Sequence, residues 1–323
     1  MHERTVKQRD KQSKQKEAKQ KQNEKWRTYS FFATLVIIAI VIGASVISSL
    51  PHVDHIPENF QFNNQPWMKY IPNAVEYVLY VNFDSAIALA GSPQLFGTDP
   101  LVQLYQLNFS LYPRDVVFEI DIQLPAPQFG GTVSLMKLHD PRMIVLQSAV
   151  ERATNAPHWP YQGYTMHGLL MKKATDQKLQ QGFISLVGGY VILTDDQAKG
   201  REGVQRVLDQ FAFTAPSLFD DITVKRGMYA AGATDQQFVG LYVGMFQTQL
   251  NYSRMIVKSV VQDGSGMLVT RSILFPSDDV ALNQFGEAHR IYRDAAIYRI
   301  LDSWLVVGYR YQVDRLRAEL SGI

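Results

Sequence analysis

The chain has 323 residues, 46% of them hydrophobic and 19% charged, with a formal net charge of +2 and no cysteine. The missing cysteine excludes disulfides, thiolate zinc sites and thiol catalysis, so any exported part must be held by its core alone. Residues 1–28 carry ten Lys or Arg against four Asp or Glu, whereas residues 51–323 carry a net −4, which denies nucleic acid a broad basic surface.

In chain order, residues 1–28 are Lys/Gln-rich and almost free of apolar side chains, which predicts a basic cytoplasmic tail, disordered or a solvated helix. Such a tail acts as a topology signal or touches anionic lipid headgroups. No Asp, Glu, Lys or Arg occurs from Thr28 to Val53. As a helix, residues 29–50 rise ~33 Å, enough to cross a ~30 Å hydrocarbon core. They are expected to form a transmembrane helix, with Trp26, Tyr29, Phe31 and Phe32 at the near interface beside Lys25 and Arg27. The basic side stays inside, so the N-terminus is placed in the cytoplasm and the C-terminal domain outside, in a single-pass cell-membrane protein. The competing reading, a cleaved signal peptide, calls for a shorter apolar region of ~7–15 residues. Gly43, Ala44 and Ser45 offer a small-residue face for helix packing.

Residues 51–73 read as a Pro-rich stalk (Pro51, Pro57, Pro66, Pro72) that packs on the domain through Phe60, Phe62 and Trp67. Strand signals then dominate. Residues 75–81 are dense in β-branched and aromatic side chains. Residues 116–124 alternate, which predicts a half-buried strand with Val116, Phe118, Ile120, Ile122 and Leu124 on one face and Glu119 and Asp121 on the wet one. A further run follows at 132–138, and residues 253–262 and 267–275 flank Asp263-Gly264-Ser265-Gly266 as a hairpin. Predicted helices follow Thr98-Asp99-Pro100 and span 141–154, 277–290 and 312–320. Sequons at Asn108 and Asn251 suit an exterior location.

An internal repeat joins 183–193 to 297–307: strand, two-residue turn, strand, with Gly188-Gly189 and Asp302-Ser303 as the turns. Each hairpin leads to a helix, Val204, Val207 and Phe211 corresponding to Val313, Leu316 and Leu320, and Leu79-Tyr80-Val81 recurs as Leu241-Tyr242-Val243. The expected fold is therefore α+β: a single N-terminal transmembrane helix, then an exported domain of two related β-hairpin/helix repeats with antiparallel sheet, 74–214 and 215–323. The opening phrase IPNAVEYVLYVNFDSA, through Pro72, Ala74, Tyr77, Val78 and Asp84, resembles an uncharacterised prokaryotic family of membrane-anchored exported proteins. That resemblance implies export and brings no activity and no site.

No catalytic motif is present. His52 and His55 with Asp54 are the one close histidine pair, in a linker ill suited to preorganise a metal. Glu119 and Asp121 sit at a spacing compatible with glycoside hydrolysis, yet two acids on a strand's wet face are commonplace. Asp195-Asp196, Asp220-Asp221 and Asp278-Asp279 read as turn or cap acids. The insertion holding His158, Trp159, Tyr161 and Tyr164 interrupts the first repeat only, so it is the candidate binding surface. Its aromatics either contact a partner or cap the domain's own core. The reading is a membrane-anchored extracytoplasmic interaction or scaffold domain of the cell envelope, without catalysis, metal or cofactor. Its partners are the bilayer through residues 29–50 and a protein, and not nucleic acid. An accessory subunit of a membrane complex and an envelope hydrolase acting on glycan or peptide are the alternatives.

Overall fold

The computed structural model describes Thr34, residues 36–38 and residues 53–321 apart from 97–99, 126–130, 153–155, 173–177, 197, 214, 235–237 and 245–254. The chain divides into two units, Met1–His52 and Val53–Ile323. Among the described residues no helix is long and apolar enough to cross a membrane, which corrects the expected transmembrane helix and the single-pass membrane class built on it. Of residues 29–50, only Thr34 and residues 36–38 are described, as helix. The rest of that run, the basic tail and the Asn251 sequon lie outside the described residues.

The second unit is organised by one 13-stranded sheet. Its strands are β1 (Val53–Asp54), β2 (Tyr77–Asn82), β3 (Val116–Gln123), β4 (Thr132–Leu138), β5 (His158–Tyr161), β6 (Tyr164–Lys172), β7 (Leu179–Val187), β8 (Tyr190–Thr194), β9 (Phe238–Gly244), β10 (Met255–Asp263), β11 (Gly266–Leu274), β12 (Ile297–Leu301) and β13 (Trp304–Tyr311). Their order across the sheet is β1-β12-β13-β11-β10-β9-β2-β3-β4-β8-β7-β6-β5. All neighbours are antiparallel except β1, which runs parallel to β12. Tight hairpins join several of its consecutive strands. Gly188 and Gly189 both take positive φ (56° and 79°), the demand of the turn type that matches strand twist. Gly264 (φ 61°) does the same service between β10 and β11.

The order is symmetrical about the central β2–β9 pair: β2-β3-β4-β8-β7 runs outward on one side and β9-β10-β11-β13-β12 on the other. The sequence left open whether the two related halves make one sheet or two, and they share one continuous sheet. Two of the sequence correspondences fail in space. Tyr80 lies opposite Leu241 and Leu79 opposite Tyr242, so Leu79 and Leu241 face opposite sides of the sheet. The helices after the two hairpins lie on opposite faces as well, as follows.

The front face carries Val78, Tyr80, Ile120, Ile122, Leu241 and Val306. It is covered by α4 (Gly200–Ala212) through Val204, Val207 and Leu208, and by α5 (Ile222–Ala230) through Val224 and Met228. The back face carries Met136, Leu138, Val191, Val260 and Val269 under α1 (Phe83–Ala90), α2 (Pro100–Phe109), α3 (Asp140–Arg152) and α7 (Leu316–Ser321). Farther along it, α6 (Asp278–Ile291) covers Ile273, Ile300 and Leu305. Two covered faces overturn the half-wet reading of β3. Glu119 is only 6% exposed, and a bulge between Val116 and Phe118 turns Val116 to the back.

Residues 53–73 are a strap across the front face. Ile56, Trp67, Met68 and Ile71 are buried there. Trp67 stacks on Tyr80 with ring centroids 4.7 Å apart and meets the edge of Phe219 at 5.4 Å. Phe60 packs on Tyr229 of α5, and Ser217 Oγ donates to Met68 O at 2.6 Å, fixing the strap's far end.

Candidate functional site

The segment holding His158, Trp159, Tyr161 and Tyr164 forms the β5–β6 hairpin at the edge of the sheet, turned by Gln162 and Gly163, both at positive φ. Alternation sends Trp159, Tyr161 and Tyr164 forward and His158 back. Trp159 packs on Phe183 (5.8 Å) beneath the Arg201 guanidinium, 5.0 Å from its ring. Tyr161 Oη donates to Asp209 Oδ1 at 2.9 Å, and Tyr164 Oη to Phe211 O at 3.3 Å. Burial, then the bond to Asp209, pushes the Tyr161 phenol up from its ordinary pKa. These three aromatics thus clamp α4 to the sheet edge.

Beside the clamp opens a cleft of about 610 Å³, lined among others by Lys69, Tyr70, Tyr164, Gln210, Phe211 and Phe213. One wall comes from the strap. Tyr70 stacks on Phe211 with centroids 3.9 Å apart and planes 6° from parallel, Lys69 Nζ lies 4.8 Å from the Tyr70 ring, and Tyr190 closes the stack edge-on. The other wall is the C-terminal end of α4, where Phe213 is 53% exposed and the buried Gln210 Oε1 has no hydrogen-bond partner among the described residues. Tyr164 is the one sequence-predicted residue that reaches this cleft. Lys69, Tyr70 and Gln210 carried no sequence signal, because a cleft between a strap and a helix end is set by tertiary contact.

The other chemical candidates resolve as structure. On the back face Tyr105 Oη bonds Glu119, and Ser134 Oγ donates to Asp121 Oδ1 at 2.7 Å. Burial first, then the Glu119 charge, hold the Tyr105 phenol well above its usual range. Glu119 is shut beneath α2, so water and substrate do not reach it. His55 Nδ1 sits 2.9 Å from Asp302 Oδ1, and Asp302 Oδ2 accepts from Ile56 N, so this histidine fastens the strap to the β12–β13 turn. His52 lies outside the described residues. Asp221 Oδ1 accepts from Thr223 N (2.6 Å) and Asp196 Oδ1 from Lys199 N (2.9 Å), cap and turn roles respectively. Among the described residues no group of three or more His, Asp or Glu is placed to hold a metal ion.

No protein-family model matches the chain, and no curated protein matches it. Among solved structures it is similar to crystal form I of TP0453, at 8% identity and a TM-score of 0.48 over 81% of this chain and 98% of that one. Crystal form III gives 9%, 0.49, 81% and 99%, and crystal form IV gives 8%, 0.47, 79% and 96%.

Proposed function

We propose that this chain is a non-enzymatic interaction domain that receives an exposed segment of a partner protein in the cleft between the strap and the end of α4. The cleft itself carries the reading: aromatic walls, the exposed Phe213 at its rim, and the unpartnered Gln210 Oε1 in the wall. Aromatic anchors with few polar groups are the composition of interface hot spots, and a buried acceptor without a donor is suited by an incoming N–H. The described lining holds no nucleophile paired with a base, which argues against chemistry in it. The basic stretch followed by an uncharged apolar run supports a working place outside the cytoplasm.

Photo-crosslinking in intact cells from position 215, another exposed residue of the cleft lining, tests the site. A partner captured by the native chain is lost in Phe213→Asp and kept in Ile222→Asp, which alters an equally exposed residue of α5. Capture that survives Phe213→Asp, or glycan or peptide cleavage by the purified chain, overturns the reading. Protease added to sealed cells should digest residues beyond 53, and protection of them overturns the location.

A further inference from the structure

The back of the edge hairpin presents two imidazoles that the α4 clamp does not use. His158 and His167 lie directly opposite each other in the β5–β6 register. Gly168 N donates to Pro157 O, which makes the 157/168 pair the hydrogen-bonded one. The 158/167 pair is therefore of the non-hydrogen-bonded kind, in which facing side chains come closest. Their rings are 6.3 Å apart, centroid to centroid, at 39°. Neither imidazole makes a hydrogen bond to any described residue. His158 is exposed and His167 half-buried, so the first is free to turn about a more fixed second.

We propose that His158 and His167 form a two-imidazole site for a borderline divalent transition cation such as Zn²⁺, Ni²⁺ or Cu²⁺. Imidazole nitrogen is the ligand that suits these ions, at ~2.0–2.1 Å for zinc. Turning the exposed His158 side chain brings one nitrogen of each ring onto a shared ion, with water completing the shell. Glu151, near the end of α3, is close enough to act on His167 electrostatically and lends negative charge beside the ion. Ligation needs neutral imidazole. The site lies on the opposite face of the hairpin from the cleft and does not depend on it.

The test is a NiCl₂ titration of the full chain by calorimetry, with Cu²⁺ electron paramagnetic resonance as the coordination readout. One equivalent of Ni²⁺ should bind, and the Cu²⁺ spectrum should show two imidazole nitrogens. His158→Asn, at an exposed position, keeps the circular dichroism of the native chain and weakens Ni²⁺ by about tenfold or more. His167→Asn does the same, and His55→Asn leaves binding unchanged. Ni²⁺ affinity that survives His158→Asn, or a Cu²⁺ spectrum without two imidazoles, overturns the site.

Discussion

Lys258 is a cation that the fold has taken out of water. It is 5% exposed on β10, and its Nζ donates to Glu319 Oε2 at 2.9 Å and to Glu319 O at 2.6 Å. Arg271 reaches the same carboxylate at 3.4 Å. Burial pushes the Lys258 pKa down, and Glu319 pulls it partly back. The lowered folded value means that the charged lysine is less at home in the fold than in the unfolded chain. Its contribution to stability therefore improves as pH rises through the folded pKa towards the unfolded ~10.4. Glu319→Gln leaves a buried ammonium with neutral partners, a loss of about 3 kcal/mol at neutral pH by urea unfolding. The gap from the native chain should narrow by pH 9, where Lys258 of the variant sheds its proton more readily. Lys258→Met in the Glu319→Gln background should recover most of the loss, since no buried charge is then left unpaired.

At the scale of elements, the strap decides how the front face closes. Residues 53–73 hold little regular structure, yet Trp67 is 2% exposed among Tyr80, Phe118, Phe219 and Phe238. Trp67→Ala removes the ring that joins the strap to β2, β3 and β9 and should cost ~3–5 kcal/mol, read as a fall in the urea midpoint at unchanged slope. A surface ring on a detached stalk would cost almost nothing. The aromatic residues of this segment were legible in the sequence, but the partners they bury against were not. The same limit explains β3. Its alternation is real, but a helix crossing the back face turns Glu119 from a wet position into a buried one held by Tyr105, and local pattern carries no sign of that cover. Hairpins fare better because their turns are local: Gly188-Gly189 and Gly264 announce φ > 0 by composition alone. The candidate site divides along the same line. Trp159, Tyr161 and Tyr164 stand out in the text, whereas Lys69 and Tyr70, which bring the facing wall, belong to a remote segment.

At the scale of the molecule, the two halves close on each other through β2 and β9 and make a sheet with helices on both faces. The recurrence of hairpins was readable, but the shared central pair was not, because β2 and β9 lie far apart in the chain and no local pattern marks which edges meet. A sheet buried on both sides encloses tyrosines on both. Tyr80 lies in the front core and Tyr105 in the back, and burial raises the pKa of each well above 10. Tyr242, on the central β9, is pushed up to about 12 by burial and then by Tyr77. A raised folded pKa stabilises fully below the unfolded value of ~10 and is lost as pH climbs through the folded one. Between pH 10 and about 12 the unfolded chain gains phenolates that the folded sheet resists, so stability should fall steeply in that window. The share of the 295 nm phenolate band that belongs to these buried rings should then appear late, together with the loss of circular dichroism. Completion of the whole phenolate rise near pH 10 with the circular dichroism intact would mean that these rings stand open to solvent and that one face of the sheet is uncovered. Tyr242→Phe removes one of the groups that resist ionisation and should move the alkaline midpoint upward.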